Sequence, residues 1–271
     1  MNRIDQIFGD LRASGAKALM PFITAGDGGL DTTARVIPAL ERGGASVCEV
    51  GIPFSDPIAD GPVIQASMTR ALDAGTRLAG VFETIAALRG SVSMGLVAMV
   101  SYSIVYRYGL DRFVKDAGQA GFDGLILPDL PIDEAAAARD AAGAGGLTLS
   151  MLIPPTTQIE RARRIAEGCT GFVYVVSRGG ITGERSALPE ELPGRLRELR
   201  GVTDAPMAVG FGISTAPQVR SVVTVADAAI VGSAMVRRLH EQAQAGEDPA
   251  QAAEQMTREL AAGLVGTPGA G

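Results

Sequence analysis

Ala18-Leu19-Met20-Pro21-Phe22-Ile23-Thr24 is a short apolar run that stops at Ala25-Gly26-Asp27-Gly28-Gly29. A helical pattern follows from about Leu30 to Arg42, Gly43-Gly44 ends it, and Ser46-Val47-Cys48-Glu49-Val50 opens a second apolar run. Apolar runs of strand length, punctuated by glycine and joined by one amphipathic helix, spell a βαβ unit.

The same grammar repeats along the chain. Further strands are expected at Gly95–Val100, Gly124–Leu127, Thr148–Ile153, Gly171–Val176, Pro206–Gly210 and Ala228–Val231, eight in all with those at Ala18 and Ser46. Helical sequence separates each pair: Val63–Leu72 with Val81–Leu88, Leu110–Ala120, the alanine-rich Asp133–Ala144, Gln158–Glu167, Pro189–Leu199 and Ala216–Val223. A crossover helix returns the chain to the same end of a sheet, so the strands are parallel and covered by helices. Eight such units in about 250 residues predict a closed (β/α)₈ barrel, the TIM barrel. A doubly wound open sheet is the competitor, but the first strand leads into Ala25-Gly26-Asp27-Gly28 rather than a dinucleotide glycine fingerprint. No linker or compositional break divides the chain. One α/β domain is expected over 1–271, with an extra helix over residues 3 to 14, a barrel core at about 16–245 and a tail at 246–271 holding a helix from Pro249 to Leu260 and a frayed Gly/Pro end.

Composition narrows the function. The 271 residues carry 24 basic and 30 acidic side chains, a formal net charge of -6, with no basic run. Nucleic acid is therefore not an expected partner. The N-terminus lacks the apolar core of a signal peptide and no run approaches the ~18 apolar residues of a membrane span, which predicts a cytoplasmic protein without a membrane partner. Cys48 and Cys169 are read as reduced core thiols, and a lone histidine, His240, as a solvated helix-end residue. With that single histidine read as solvated and without a partner to orient it, neither an ordinary serine-histidine triad nor a histidine metal site is expected, and no metal is expected.

The second strand ends in a carboxylate, and the loop beyond it is Gly51-Ile52-Pro53-Phe54-Ser55-Asp56-Pro57-Ile58-Ala59-Asp60-Gly61-Pro62. Proline stiffens such a loop, which is polar and poor in helix formers, so its acids are held rather than merely solvated. Barrel enzymes collect reactive groups at the carboxyl ends of strands. Glu49, Asp60, Tyr102, Asp129 and Ser177-Arg178 all fall there. The last two strands end in Gly210-Phe211-Gly212-Ile213-Ser214 and Val231-Gly232-Ser233-Ala234, each leading into helical sequence. Glycines admit close approach of backbone amides, and a helix N-terminus offers free donors, so these two loops predict a phosphate site rather than plain tight turns. The loop Arg178-Gly179-Gly180-Ile181-Thr182-Gly183-Glu184-Arg185 reads as a lid. Two carboxylates beside a phosphate pocket suit proton transfer on a phosphorylated substrate.

The run Glu49 to Pro62 closely resembles the signature of the tryptophan synthase alpha chain family. Pro21-Phe22-Ile23-Thr24-Ala25-Gly26-Asp27, Leu127-Pro128-Asp129-Leu130-Pro131, Ser177-Arg178-Gly179-Gly180-Ile181-Thr182-Gly183 and Gly210-Phe211-Gly212-Ile213 match the family in the same order, and the resemblance spans roughly residues 3 to 240. It implies a lyase of tryptophan biosynthesis that cleaves indole-3-glycerol phosphate by a retro-aldol reaction to indole and glyceraldehyde 3-phosphate. Glu49 is implied as the general acid and base, and Asp60 as the partner of the indole N–H. Phe22, Tyr102, Leu127 and Tyr174 are implied to line the indole pocket, Gly183, Gly212, Gly232 and Ser233 to hold the phosphate, and Arg178 and Thr182 to belong to the lid.

The resemblance further implies a partner, the tryptophan synthase beta chain, in an alpha2beta2 heterotetramer that channels indole. Pro53, Asp56 and Pro57, with the segment after the third strand, form the expected docking surface. No cofactor is expected in this chain; pyridoxal phosphate belongs to the beta chain, and Lys17 and Lys115, the only lysines, do not look like Schiff-base sites. One stretch departs from the family, which usually shows Asn-Pro after the tyrosine where this chain has Tyr102-Ser103-Ile104. The alternatives are a stand-alone indole-producing lyase and a silent barrel kept as an activating partner.

Overall fold

The computed structural model describes residues 2–58, 60–177, 189–210 and 212–264. Among them the apolar runs become nine parallel strands: β1 (Ala18–Thr24), β2 (Val47–Gly51), β3 (Gly95–Met99), β4 (Gly124–Ile126), β5 (Thr148–Ser150), β6 (Leu152–Ile153), β7 (Val173–Val176), β8 (Met207–Gly210) and β9 (Ala228–Val231). The sequence reading expects eight. The difference lies at Met151, where one run breaks into β5, which pairs with β4, and β6, which pairs with β7. The sheet order β5-β4-β3-β2-β1-β9-β8-β7-β6 thus begins and ends on the same stretch of chain, and the sheet closes into a TIM barrel.

Register fixes the geometry of closure. Phe22 pairs with Glu49, Glu49 with Val97, Val97 with Gly124 and Gly124 with Thr148. In the other direction Ala18 pairs with Ala228, Ala228 with Ala208, Ala208 with Tyr174 and Tyr174 with Leu152. The ladder slips four residues along β1, from Ala18 to Phe22, and four along the closing run, from Thr148 to Leu152. A total stagger of about eight is that of a (β/α)₈ barrel.

Because the ladder drops one residue per strand, inward side chains from alternate strands share a height. Glu49, Ile126, Tyr174 and Ile230 form one tier; Met20, Val97, Ser150 and Ala208 lie below it, and Phe22, Met99, Leu152 and Gly210 above. Most of these belong to one interior cluster, closed at the bottom by Ile4 and Phe8 of the helix α1 (Arg3–Ser14). Phe8 packs on Phe172 with ring centroids 5.7 Å apart. The outward residues of the strands, such as Cys48, Val50, Leu149 and Met151, pack against the helices in a separate, larger cluster.

The helices follow the sequence pattern: α2 (Leu30–Arg42), α3 (Pro62–Asp73), α4 (Leu78–Leu88), α5 (Tyr102–Tyr108), α6 (Leu110–Ala120), α7 (Ala136–Ala144), α8 (Ile159–Gly168), α9 (Leu192–Arg200), α10 (Ala216–Val223), α11 (Ser233–Gln244) and α12 (Pro249–Ala261). Two details depart from it. α5 was not expected, and α9 starts three residues after Pro189, at Leu192. α12 lies on α2, where a Cβ on Gly43 would come within 2.5 Å of Thr257. The Gly/Pro end from 265 onward lies outside the described residues. Among the described residues no helix is long and apolar enough to cross a membrane.

Candidate active site

Glu49 points inward from β2, fully buried, and neither carboxylate oxygen has a hydrogen-bond partner. Burial drives its pKa well above the usual carboxylate range. Burial penalises the charged form, so this carboxyl holds its proton more tightly than an ordinary glutamate does. Its neighbour Cys48 faces the helices, and burial first, then the Glu49 charge, push the thiol up, which leaves no reactive thiolate.

Asp60 is brought over the barrel mouth by the loop after β2. The Asp60 N–H donates to the Pro57 carbonyl at 3.0 Å, and Gln65 of α3 donates through Nε2 to the carbonyls of Asp60 and Pro57 at 2.7 and 3.2 Å. Pro62, at the first turn of α3, gives up no useful donor there. Burial raises the Asp60 carboxyl to about 6, low enough to remain mostly ionised at neutral pH. Tyr174 links the two acids: burial, then the charges of Glu49 and Asp60, hold its phenol far above the ordinary range.

Two glycines make room for the rings around these acids. A Cβ on Gly51 would lie 2.4 Å from Cζ of Phe22, and one on Gly210 would lie 2.3 Å from Oη of Tyr174. Each ring rises from its own tier into the space a side chain would fill. Phe22 also packs with Ile64 and Met68 of α3, Val236 of α11 and the edges of Phe54 and Met99, an apolar wall facing the acids.

Tyr102, the first residue of the short α5, and Leu127 fall in the helix-side cluster, half-buried and buried respectively. Asp129, singled out in sequence as a strand-end acid, caps α5. The Tyr102 N–H donates to its Oδ1 and the Ser101 hydroxyl to its Oδ2, both at 2.7 Å. The carboxylate therefore fixes where α5 starts.

The two glycine loops prove unequal. Gly212 adopts φ 81°, a conformation that favours glycine, but α10 begins only at Ala216 and its end is closed by a capping box between Thr215 and Gln218. Gly232 runs straight into α11 as its N-cap, contributes no side-chain cap, and leaves Ser233 as the first helical residue. Free donors and the helix dipole thus point from α11. Arg178, Thr182 and Gly183 lie outside the described residues.

On the loop rim, Pro53 is buried, Pro57 half-buried and Asp56 exposed, with the Ser55 hydroxyl donating to the Asp56 carboxylate at 2.5 Å. The exposed large hydrophobics among the described residues are Ile58 at 90% and Tyr106 at 76%. His240, expected at a solvated helix end, is half-buried on α11. It lines a cavity of about 560 Å³ away from the acids, beside the Arg70–Asp27 pair, whose two hydrogen bonds measure 2.8 and 2.7 Å. Among the described residues no group of three His, Cys, Asp or Glu side chains is arranged to hold a metal ion.

Sequence reasoning did not assign roles to Gly51, to Gly210 as a ring clearance, or to Ser150. Their signal is the period-2 alternation: each falls on the inward face of a strand, where a missing or polar side chain is out of keeping with a core.

The profile of the family described as tryptophan synthase alpha chain matches residues 8–265. The alpha chain of Geobacter sp. strain M21 is 45% identical over 237 residues, covering 88% of this chain and 89% of its own. That of Rhodopirellula baltica is 46% identical over 260 residues, covering 93% and 94%. The crystal structure of tryptophan synthase subunit alpha from Legionella pneumophila str. Paris superimposes with a TM-score of 0.90 at 35% identity, over 97% of this chain and 98% of that one.

Proposed function

Because this chain belongs to the tryptophan synthase alpha chain family, a lyase component that cleaves indole-3-glycerol phosphate to indole and glyceraldehyde 3-phosphate, we propose that Glu49 and Asp60 carry that reaction here. The observation that carries the assignment is the fully buried Glu49 carboxyl with both oxygens unpartnered and its pKa raised. An acid whose surroundings favour its protonated form, and whose oxygens make no other hydrogen bond, is poised to give its proton to a bound substrate.

In the first step Glu49 protonates indole C3, and the positive charge that develops on the ring nitrogen is held by the ionised Asp60. Glu49, now a carboxylate, takes the proton of the glyceryl hydroxyl. The bond from C3 to the glyceryl carbon breaks, its electron pair restores the aromatic ring, and the hydroxyl carbon becomes the aldehyde. Glu49 ends the cycle protonated, as it began. Phe22, Tyr102, Leu127 and Tyr174 line the indole pocket; Gly212, Gly232, Ser233 and, from the lid segment, Gly183 bind the phosphate; Arg178 and Thr182 close over the substrate.

The family's partner is the beta chain. In this chain Pro53, Asp56 and Pro57, joined by exposed Ile58 and Tyr106, form the docking face of a cytoplasmic alpha2beta2 heterotetramer. Exposed apolar side chains beside the barrel mouth support that reading. The alpha chain acts as one domain without a cofactor of its own, and pyridoxal phosphate resides in the beta chain.

The test is indole release from indole-3-glycerol phosphate by the purified chain with and without its beta chain. Glu49→Gln is expected to abolish release while retaining the fold; near-normal release would remove Glu49 from the role. Weak release that rises with the beta chain supports a coupled subunit, and fast release indifferent to it would replace that reading by a stand-alone lyase.

A further inference from the structure

The barrel interior contains a second orphaned polar group. Ser150 lies on β5 between Leu149 and Met151, which face the helices, so its own side chain faces inward. It is fully buried, and its hydroxyl, like both oxygens of Glu49, has no hydrogen-bond partner. Register sets Ser150 in the tier immediately below Glu49, with Met20, Val97 and Ala208. Of these four, Ser150 and Ala208 carry the shortest side chains.

Buried polar groups in folded proteins are satisfied by protein or by ordered water, and a water needs a polar site of its own size with at least two partners. Two unpartnered buried groups in adjacent tiers supply the polar partners such a water needs. We propose that Ser150 is a positioning residue for Glu49, joined to its carboxyl through one buried water beneath the floor of the active site. This rests on the assignment of Glu49 as acid and base.

The link has a chemical consequence. Between its two proton transfers Glu49 is a carboxylate in an apolar surround. A hydroxyl and a water are rotors that each donate or accept. They donate to the carboxylate when Glu49 is ionised and accept from the carboxyl when it is protonated, so the ionised form is favoured relative to an interior without them. Among the described residues the other titratable groups near Glu49 are Tyr174, in its own tier on β7, and Asp60 above it in the loop after β2, and both acids raise the tyrosine. The inward positions of β1, β3, β4, β8 and β9 at these heights are apolar, and Cys48 faces away.

Ser150→Ala removes the hydroxyl without adding volume. It is expected to lower kcat roughly ten- to a hundredfold, the range for losing one hydrogen bond to a charged group, with KM little changed. The alkaline limb of the kcat profile, which reports loss of the Glu49 proton, moves to higher pH. Ser150→Thr restores the hydroxyl and is expected to return the limb toward the wild-type position. A high-resolution crystal structure of the wild-type chain should show a water within hydrogen-bond distance of both Ser150 Oγ and a Glu49 carboxyl oxygen. An unchanged kcat and alkaline limb in Ser150→Ala, with Glu49→Gln inactive, would overturn the link while leaving Glu49 in its role. A fall in kcat with an unmoved limb and a lowered melting temperature would make Ser150 merely structural and also overturn it. Activity retained in Glu49→Gln would instead sink the assignment of Glu49 itself.

Discussion

Phe22 and Glu49 are paired neighbours in the ladder between β1 and β2, so an aromatic ring and the buried acid beside it are fixed by one pair of backbone strands. Neither depends on a loop for its position. Their separation is set by strand spacing, and the ring stays upright because Gly51, two residues beyond Glu49 on the same face, has no side chain.

Gly51→Ala is therefore expected to damage the pocket. The added Cβ would sit 2.4 Å from the Phe22 ring, which must tilt toward the acids or push β1 aside. Overpacking of this kind costs about 1–3 kcal/mol of stability. Thermal melts and the KM for indole-3-glycerol phosphate check it: both a lower melting temperature and a raised KM are expected, and an unchanged KM would show that Phe22 does not bound the substrate.

Asp60 gives a signed pH dependence. Its folded-state pKa, about 6, stands above the ordinary aspartate value of 3.8, so the folded chain holds the proton more tightly than the unfolded one. Stability from this group is undiminished below pH ~4, falls as pH rises through the interval to about 6, and is then constant. Asp60→Asn is expected to raise stability at pH 7–8 relative to wild type, by about 1–3 kcal/mol, and to show no gain near pH 3.5. Denaturant melts at the two pH values measure this. The acid limb of kcat/KM near pH 6 should also vanish in the variant, along with most of its activity.

Asp129→Ala removes the acceptor for the Tyr102 amide and the Ser101 hydroxyl. Loss of such a cap costs about 1 kcal/mol and leaves the start of α5 unpinned. A several-fold rise in KM with a smaller change in kcat is expected, because the chemistry at Glu49 is untouched. Steady-state kinetics with a melting curve on the same preparation separate these effects; equal losses in kcat and kcat/KM would assign Asp129 a direct part in the reaction.

Ile58→Ser and Tyr106→Ser address the docking face. Both side chains are exposed in this chain, and an aromatic anchor at an interface is worth about 2 kcal/mol or more when truncated. Each is expected to weaken binding of the beta chain, the tyrosine variant by roughly tenfold or more, with release of indole by the isolated chain unchanged. Titration of the beta chain by calorimetry reads the affinity; equal affinity for both variants would move the interface elsewhere on the barrel.

How far the site was legible varies residue by residue. Glu49 at the end of an apolar strand, and Asp60 in a loop stiffened by Pro57 and Pro62, stand out because a carboxylate against an apolar run has no other local explanation. Asp129 stood out for the same reason, yet its partners are the amide and hydroxyl of a helix start 27 and 28 residues earlier in the chain. Capping across such a distance leaves no local pattern. α5 is short, seven residues with β-branched Ile104 and Val105 in its first turns, so the chain carries only a weak local helix signal there.

By itself the sequence determined the alternation of strands and helices, hence a parallel barrel, and the family to which the chain belongs, because period, punctuation and motif are local properties of the chain. Tertiary structure decided the closure at Met151, where one apolar run serves both edges of the sheet, and the stagger that raises Phe22 over Gly51 and Tyr174 over Gly210. It also decided the depth of Glu49, since burial is a sum over neighbours from every strand of the barrel. The same sum leaves Ser150, an ordinary serine in the chain, as an unpartnered hydroxyl one tier beneath the acid.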